Sequence, residues 1–255
     1  MSNNAIEIKN LYFSYENKSI LSNLNAHFPT ANFSVLLGVN GCGKSTLMKI
    51  LAGLLRPSKG QITFFDKIAS EMNAQQKAQT VGFLSQDFQS VFPLSVQDIL
   101  LTGRGAFSRF DFSKKDTSIV QTIAQKLDLE PLLQEPFNTL SGGQQQRVLI
   151  GRILVQNPKI IILDEPTNHL DIYHKHQLLK YLKTLTLEGY TIIAVMHDPT
   201  LAYQYADYVY FIQNSIITPT NTLQPINLEL INNVFGTEFV SLYHNNQPFI
   251  VSKKI

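Results

Sequence analysis

Three groups of residues have the types and spacing to handle a phosphorylated ligand. The first is Gly38-Val39-Asn40-Gly41-Cys42-Gly43-Lys44-Ser45, followed by Thr46, which fits G-x-x-x-x-G-K-[ST]. Glycines at these positions let the backbone curl so that successive N–H groups face an anion. A helix start behind them adds the positive end of its dipole. Lys44 can reach β- and γ-phosphates, and the Ser45 hydroxyl can ligate Mg²⁺. The second group is Leu140-Ser141-Gly142-Gly143-Gln144-Gln145-Gln146-Arg147-Val148. It also reads as a helix start that exposes N–H groups, but it has no lysine, so alone it should hold a phosphate weakly.

The third group lies at the ends of apolar runs. Ile160–Leu163 leads into Asp164 and Glu165, Thr80–Ser85 into Gln86, and Thr191–Met196 into His197. In open α/β sheets, ligands gather at the carboxyl ends of strands, where the phosphate loop also springs. Asp164 suits the surroundings of a Mg²⁺ ion and Glu165 the polarising of an attacking water. His197 suits a hydrogen bond to a γ-phosphate, and Gln86 a contact to Mg²⁺ or the water. His174 and His176 stand two apart on an expected helix, so they point to different faces and do not read as a metal pair. Cys42 has two readings: a small residue tolerated in a tight loop, or a thiol activated by the helix N-terminus.

The elements that must position these residues follow from hydropathy. Phe33–Leu37, Val81–Leu84, Ile160–Leu163 and Thr191–Met196 are short, apolar and often β-branched, as parallel strands covered on both faces should be. Leu47, Ile50, Leu51, Leu54 and Leu55 fall on one face of a helix after the first of them. Gln61–Phe65 reads as a strand, and the looser alternation of the first thirty or so residues reads as antiparallel strands beside the main sheet. Helical patterns over Val96–Thr102, Thr117–Leu127 and Gln145–Val155 replace strand signals between 87 and 157. The expected organisation is one domain over 1–255: a catalytic lobe from 1–86 and 158–226, a helical lobe over 87–157, and a C-terminal extension over 227–255.

Composition narrows the class. The 255 residues are 44% hydrophobic, enough for a sizeable core, and the formal net charge of +2 offers no basic stripe for nucleic acid. A single cysteine excludes an intrachain disulfide and fits a reducing compartment. The first ten residues, MSNNAIEIKN, do not read as a secretory signal, and no apolar run approaches the ~18 residues of a bilayer span.

Taken together, these motifs resemble those of the ATP-binding-cassette ATPases over nearly the whole chain. GVNGCGKST is similar to their Walker A motif, Gln86 to their Q-loop and LSGGQQQRV to their signature. Ile160–Glu165 is similar to Walker B, Asn168-His169-Leu170-Asp171 to the D-loop, and His197 to the switch histidine. Tyr15 matches the aromatic residue that stacks on adenine, with Tyr12 and Phe13 as nearby competitors. The resemblance implies a P-loop α/β fold with a mostly parallel core sheet, an N-terminal antiparallel β subdomain and an inserted helical subdomain. It also implies ATP and Mg²⁺, and a head-to-tail homodimer in which Ser141, Gly142, Gly143, Gln144 and Asp171 complete the ATP site of the partner.

A narrower resemblance points to importers of ferric siderophores, haem or cobalamin. It rests on Phe92-Pro93-Leu94-Ser95-Val96, Leu101-Thr102-Gly103-Arg104, TNHLDIYHKHQLLKYL and the closing segment around 227–251. It implies membrane permease subunits, indirectly a substrate-binding protein, and a peripheral place on the cytoplasmic face of the plasma membrane. Residues 87–112 would receive the permease, with Phe88, Phe92, Phe107, Phe110 and Phe112 as either a contact patch or the core of the helical lobe. The stretch IQNSIITPTNTL departs from the glycine-containing strand turn of many relatives. A soluble cassette acting on nucleic acid or a protein assembly is the competing expectation. Against it, no heptad run separates Lys44 from Asp164, and the chain holds one cassette rather than two.

Overall fold

The computed structural model describes residues 3–16, 18–86, 93–108 and 112–253. Two long strands, β1 (Asn4–Tyr15) and β2 (Lys18–Pro29), open the chain as an antiparallel hairpin. β3 (Phe33–Leu37) then leads through the phosphate loop into α1 (Lys44–Leu51). β4 (Lys59–Phe64) and β5 (Lys67–Ile68) return to the hairpin, giving a four-stranded sheet in the order β2-β1-β4-β5. After α2 (Ala74–Thr80) and β6 (Val81–Leu84) come four helices: α3 (Val96–Thr102), α4 (Gly105–Ser108), α5 (Lys114–Lys126) and α6 (Gly142–Gln156). The chain re-enters the main sheet with β7 (Ile160–Asp164), α7 (Ile172–Leu187), β8 (Thr191–Val195), α8 (Pro199–Tyr205), β9 (Tyr208–Gln213) and β10 (Ile216–Asn221). It closes with α9 (Leu228–Phe235) and the hairpin of β11 (Phe239–His244) and β12 (Gln247–Ser252).

The main sheet has the order β10-β9-β3-β8-β7-β6, parallel except at the β9–β10 edge. Strand alternation divides its side chains between two cores. Phe33, Val35, Leu37, Ile161, Leu163, Ile192 and Ala194 face the helices, while Leu36, Ile160, Ile162, Ile193 and Val195 face α1 and the antiparallel sheet. All five residues of β3, β7 and β8 are buried, which explains why these strands read as unbroken apolar runs. Each Val, Leu, Ile or Phe among them contributes about 1.5–3 kcal/mol by leaving water. The strands are therefore stiff rods that end, together, at the phosphate loop.

Helix α3 starts at Val96 as expected, whereas α5 and α6 start earlier than expected, and a repeated local device lies at these starts. Asn73/Gln76, Ser95/Asp98, Ser113/Asp116 and Ser141/Gln144 each form a reciprocal capping box. The box satisfies two of the N–H groups that a helix start orphans, so α5 and α6 begin three residues before their apolar periodicity does. α1, by contrast, ends early. Gly53 (φ +76) lets Leu54 N–H reach the Lys49 carbonyl at 2.9 Å, a Schellman stop. Leu54 is thus 64% exposed rather than on the buried face.

β4 starts two residues before the expected strand, and β8 ends at Val195, which leaves Met196 and His197 beyond it. The glycine-free IQNSII turn is a two-residue connection with Asn214 and Ser215 both left-handed (φ +50 and +62). Phe65-Asp66 and Asn245-Asn246 do the same in two other hairpins; Asn and Asp tolerate this conformation at little cost, whereas Phe65 (φ +46) adopts it without that advantage. The Ser215 hydroxyl accepts from Ser22 N–H at 3.0 Å and so ties the turn to β2. In the helical subdomain, Arg104 bonds Asp116 at 2.8 Å and the Val155 carbonyl at 3.3 Å, joining the α3–α4 corner to α5 and α6. Phe107 lies under the Arg104 guanidinium, 4.3 Å from it. Phe107 and Phe112 are half-buried; Phe88, Phe92 and Phe110 lie outside the described residues.

Candidate functional site

The end of β3 and the start of α1 form a loop that surrounds its own lysine. Gly41 and Gly43 are left-handed (φ +79 and +101), which turns the loop N–H groups inward. Gly43 takes the N-cap position of α1 and has no side chain to cap the helix, so the helix start leaves its first N–H groups for an anion. Lys44 is 5% exposed and donates to the carbonyls of Gly38 (2.7 Å) and Val39 (2.9 Å). A third, longer contact runs to Cys42 Sγ at 4.0 Å, and a buried ammonium held by such neutral acceptors is matched to a more strongly negative ligand. A cavity of about 500 Å³ opens beside it. Asn40, Gly41, Gly43, Lys44, Ser45, Thr46, Gln86, Glu165 and His197 line it, so the structure gathers half of the candidate site residues around one cavity.

Asp164 is the last residue of β7 and is 2% exposed. Its Oδ1 accepts from the Ser45 hydroxyl at 3.1 Å. Burial pushes its carboxyl up from the ordinary aspartate range, against the lowering effect of the Ser45 bond. A hydroxyl and a carboxylate of this kind are a hard-oxygen donor set that fits Mg²⁺. One residue on, Glu165 takes a left-handed backbone (φ +54) that turns its carboxylate into the cavity. Its Oε2 accepts from Gln86 Nε2 at 3.0 Å and from the Asn168 amide, and its Oε1 lies 2.7 Å from His197 Nε2. Gln86 and His197 thus meet on the glutamate itself.

Two lining residues, Lys18 and Ile20, were not singled out in the sequence. They come from β2, and nothing in a lone Lys or Ile twenty-odd residues upstream marks them. Tyr15 pairs with the lining residue Lys18 across the hairpin and is 44% exposed, but is not itself among the residues that line the cavity. Of its competitors, Phe13 is buried in the antiparallel-sheet core with its edge against the Tyr15 ring. Asn168, read before only as part of a four-residue motif, is a direct partner of Glu165. The Cys42 thiol is pushed up by burial, which outweighs the nearby Lys44 ammonium. That favours the small-residue reading over the activated thiol.

Ser141, Gly142, Gly143 and Gln144 are not among the residues that line the phosphate cavity. Ser141 caps α6: Gln144 N–H donates to its hydroxyl (3.4 Å), and Ser141 N–H donates to Gln144 Oε1 (2.9 Å). Gly143 packs beneath His174, where a Cβ would lie 2.4 Å from the ring. Asp171 caps α7, accepting from His174 N–H at 2.8 Å, and these bonds with His174 hold its carboxyl below the usual range. His174 Nδ1 also meets Asp171, while His176 Nδ1 meets the Tyr205 hydroxyl at 2.7 Å. Both histidines are therefore engaged in helix packing.

A glycine-rich loop around a buried lysine, ahead of a strand-end Asp-Glu pair on a mostly parallel sheet, defines a P-loop nucleotide hydrolase. The sequence profile of the ABC transporter family matches residues 21–168. The petrobactin import ATP-binding protein FpuD of Bacillus anthracis is 34% identical, over 92% of this chain and 87% of its own. The hemin import ATP-binding protein HmuV of Escherichia coli O157:H7 is 32% identical, over 96% and 98%. A solved transporter assigned to the metal-chelate type, in an inward-facing conformation, superposes with a TM-score of 0.86 at 28% identity, over 99% of this chain and 98% of that one. The chain belongs to the ABC transporter family, as one of its ATP-binding, ATP-hydrolysing proteins.

Proposed function

We propose that this chain is the ATPase subunit of an importer for a metal chelate or corrinoid, such as a ferric siderophore, haem or cobalamin. It works as a homodimer against membrane permease subunits, which receive cargo from a substrate-binding protein, on the cytoplasmic face of the plasma membrane. The cargo class is supported by relatives whose names specify petrobactin and hemin import. Among the described residues no helix is long and apolar enough to cross a membrane, so translocation falls to other subunits.

One observation carries the dimer reading: the phosphate cavity and the signature helix are separate features of the chain. Ser141 and Gly142 are exposed at a helix N-terminus with no phosphate-binding lysine beside them. A second copy, placed head to tail, brings that N-terminus over the open side of the cavity and makes two equivalent composite sites.

Within each site, Lys44 and the loop N–H groups hold the β- and γ-phosphates, and Tyr15 stacks on the base. Ser45 and Asp164, with Gln86, would hold Mg²⁺, which would supply charge neutralisation on the phosphate oxygens. Glu165 takes a proton from water as the water oxygen attacks the γ-phosphorus and the bond to the β–γ bridging oxygen breaks. For that, Glu165 must release one of its present partners. Gln86 and His197, both exposed, are the ones free to turn, which leaves Asn168 to orient the carboxylate and lets His197 donate to the γ-phosphate.

Glu165→Gln should keep ATP binding, lose turnover and accumulate an ATP-bound dimer in size-exclusion chromatography; normal hydrolysis would remove Glu165 from this role. Ser141→Arg should spare ATP binding by the monomer and abolish hydrolysis. Co-purification should recover a polytopic membrane protein, and recovery of only DNA or ribosomes would refute the importer reading.

A further inference from the structure

The phosphate cavity has one wall that none of the sequence motifs supplies. It is β2, the edge strand of the antiparallel sheet, which contributes Lys18 and Ile20. Phe13 pairs with Leu21 and Ser14 with Ser19, so Ile20 is an extra residue on β2, a bulge. Bulges bend a strand and re-aim its side chains. Here both Ile20 and Leu21 reach the start of α1: a Cβ on Gly43 would lie 2.9 Å from Leu21 Cδ2 and 3.2 Å from Ile20 Cγ2. The β9–β10 turn fixes the bulge in place. The Ser215 hydroxyl accepts from Ser22 N–H at 3.0 Å and donates to the Ile20 carbonyl at 3.4 Å. The glycine-free IQNSII turn thus anchors this wall of the cavity. Lys18 stands two residues before the bulge and is exposed. Among the described residues it pairs with no carboxylate. The cavity lining includes two lysines, Lys44 and Lys18, and of these only Lys44 is buried in the loop. Glu165, the carboxylate in the lining, is already held by Gln86, Asn168 and His197.

We infer that Lys18 is a second cationic contact to the nucleotide and that it binds the α-phosphate. This role rests on the reading of the cavity as the ATP site, with Tyr15 on the base. On one side of Lys18, Ile20 lies against Gly43, the N-cap of the phosphate loop; on the other, Tyr15 faces Lys18 across the hairpin. With Lys44 on the β- and γ-phosphates and Tyr15 on the base, the charged group abreast of Lys18 is the first phosphate. A lysine suits that place, because its ammonium is a point charge on a flexible stem and needs no fixed geometry. Its attraction to the ligand is partly screened by water and salt, so the contact is modest and salt-dependent. It favours a phosphorylated nucleoside over the bare one, and charge rather than shape carries the preference.

The test is displacement of fluorescent trinitrophenyl-ADP from the full chain by ADP, AMP and adenosine. The chain should bind AMP more tightly than adenosine. Lys18→Ala should weaken ADP and AMP alike, about three- to tenfold, leave adenosine unchanged, and flatten the salt dependence of ADP binding. Lys18→Arg, which keeps the charge, should restore most of the loss. AMP binding no better than adenosine, indifference to Lys18→Ala, an equal loss for adenosine, a loss for ADP without one for AMP, or no rescue by arginine would each overturn the contact. A chain that binds no trinitrophenyl-ADP at all refutes the reading of the cavity as an ATP site. One that binds ADP and ignores Lys18→Ala keeps that reading and loses the α-phosphate contact alone.

Discussion

The chain holds two glycine-rich helix starts, and they differ in how each treats its own N–H groups. At α1 the N-cap is Gly43, which has no side chain, and the first helical residue is a lysine buried against the loop's own carbonyls. At α6 the N-cap is Ser141, and it forms a reciprocal box with Gln144. The first is left unsatisfied and concave, which is what a polyphosphate needs. The second has already settled two of its orphan donors, is convex and exposed, and can offer a phosphate only what remains. A helix dipole is common to both, so the dipole does not make the site; the missing cap and the lysine do.

The comparison breaks most readily at the lysine. Lys44→Ala should lower kcat/KM for ATP about a hundred- to a thousandfold, while Ser141→Ala should leave ATP binding by the monomer within roughly twofold as read by equilibrium dialysis. Equal losses in binding would mean that the two helix starts serve one intramolecular site. Next in size is Gly143→Ala. Its Cβ meets the His174 ring, and such overpacking costs about 1–3 kcal/mol in denaturant unfolding. Adding His174→Ala should restore most of it, and failure to do so would show that the glycine is needed for something other than ring packing.

Ser141→Ala should itself cost about 1 kcal/mol of stability through loss of the α6 cap. No loss would mean that the box seen here contributes nothing and that Ser141 is kept for the nucleotide alone.

The smallest effect sharpens the site rather than the cap. Burial raises the Asp164 pKa above its ordinary 3.8, so its stabilising contribution is complete below that value and fades as pH rises through the folded one. Asp164→Asn should therefore raise the nucleotide-free Tm at neutral pH, with the gain disappearing at acidic pH, while Mg²⁺-dependent hydrolysis is lost.

Residues close in sequence were legible without coordinates. The G-x-x-x-x-G-K-S loop, the Asp-Glu pair and the serine that starts α6 announce themselves because each works through its immediate neighbours. Strands β3, β7 and β8 were legible because a strand buried on both faces is almost wholly apolar, with only Ser34, Asp164 and Thr191 as polar residues. The aspartate boxes at Ser95 and Ser113 are local patterns as well; apolar periodicity places the start of α3 correctly at Val96 but starts α5 three residues late.

What the sequence determined by itself was the chemistry on offer: a phosphate loop, a metal-competent Ser45 and Asp164, a candidate base in Glu165, and covered parallel strands to carry them. Tertiary structure decided who meets whom. It set Gln86, Asn168 and His197 on one carboxylate, brought Lys18 to the cavity from the neighbouring sheet, and kept the signature out of it. Such pairings join residues tens of positions apart, and the sum of packing in two separate cores fixes them; no local propensity encodes that sum.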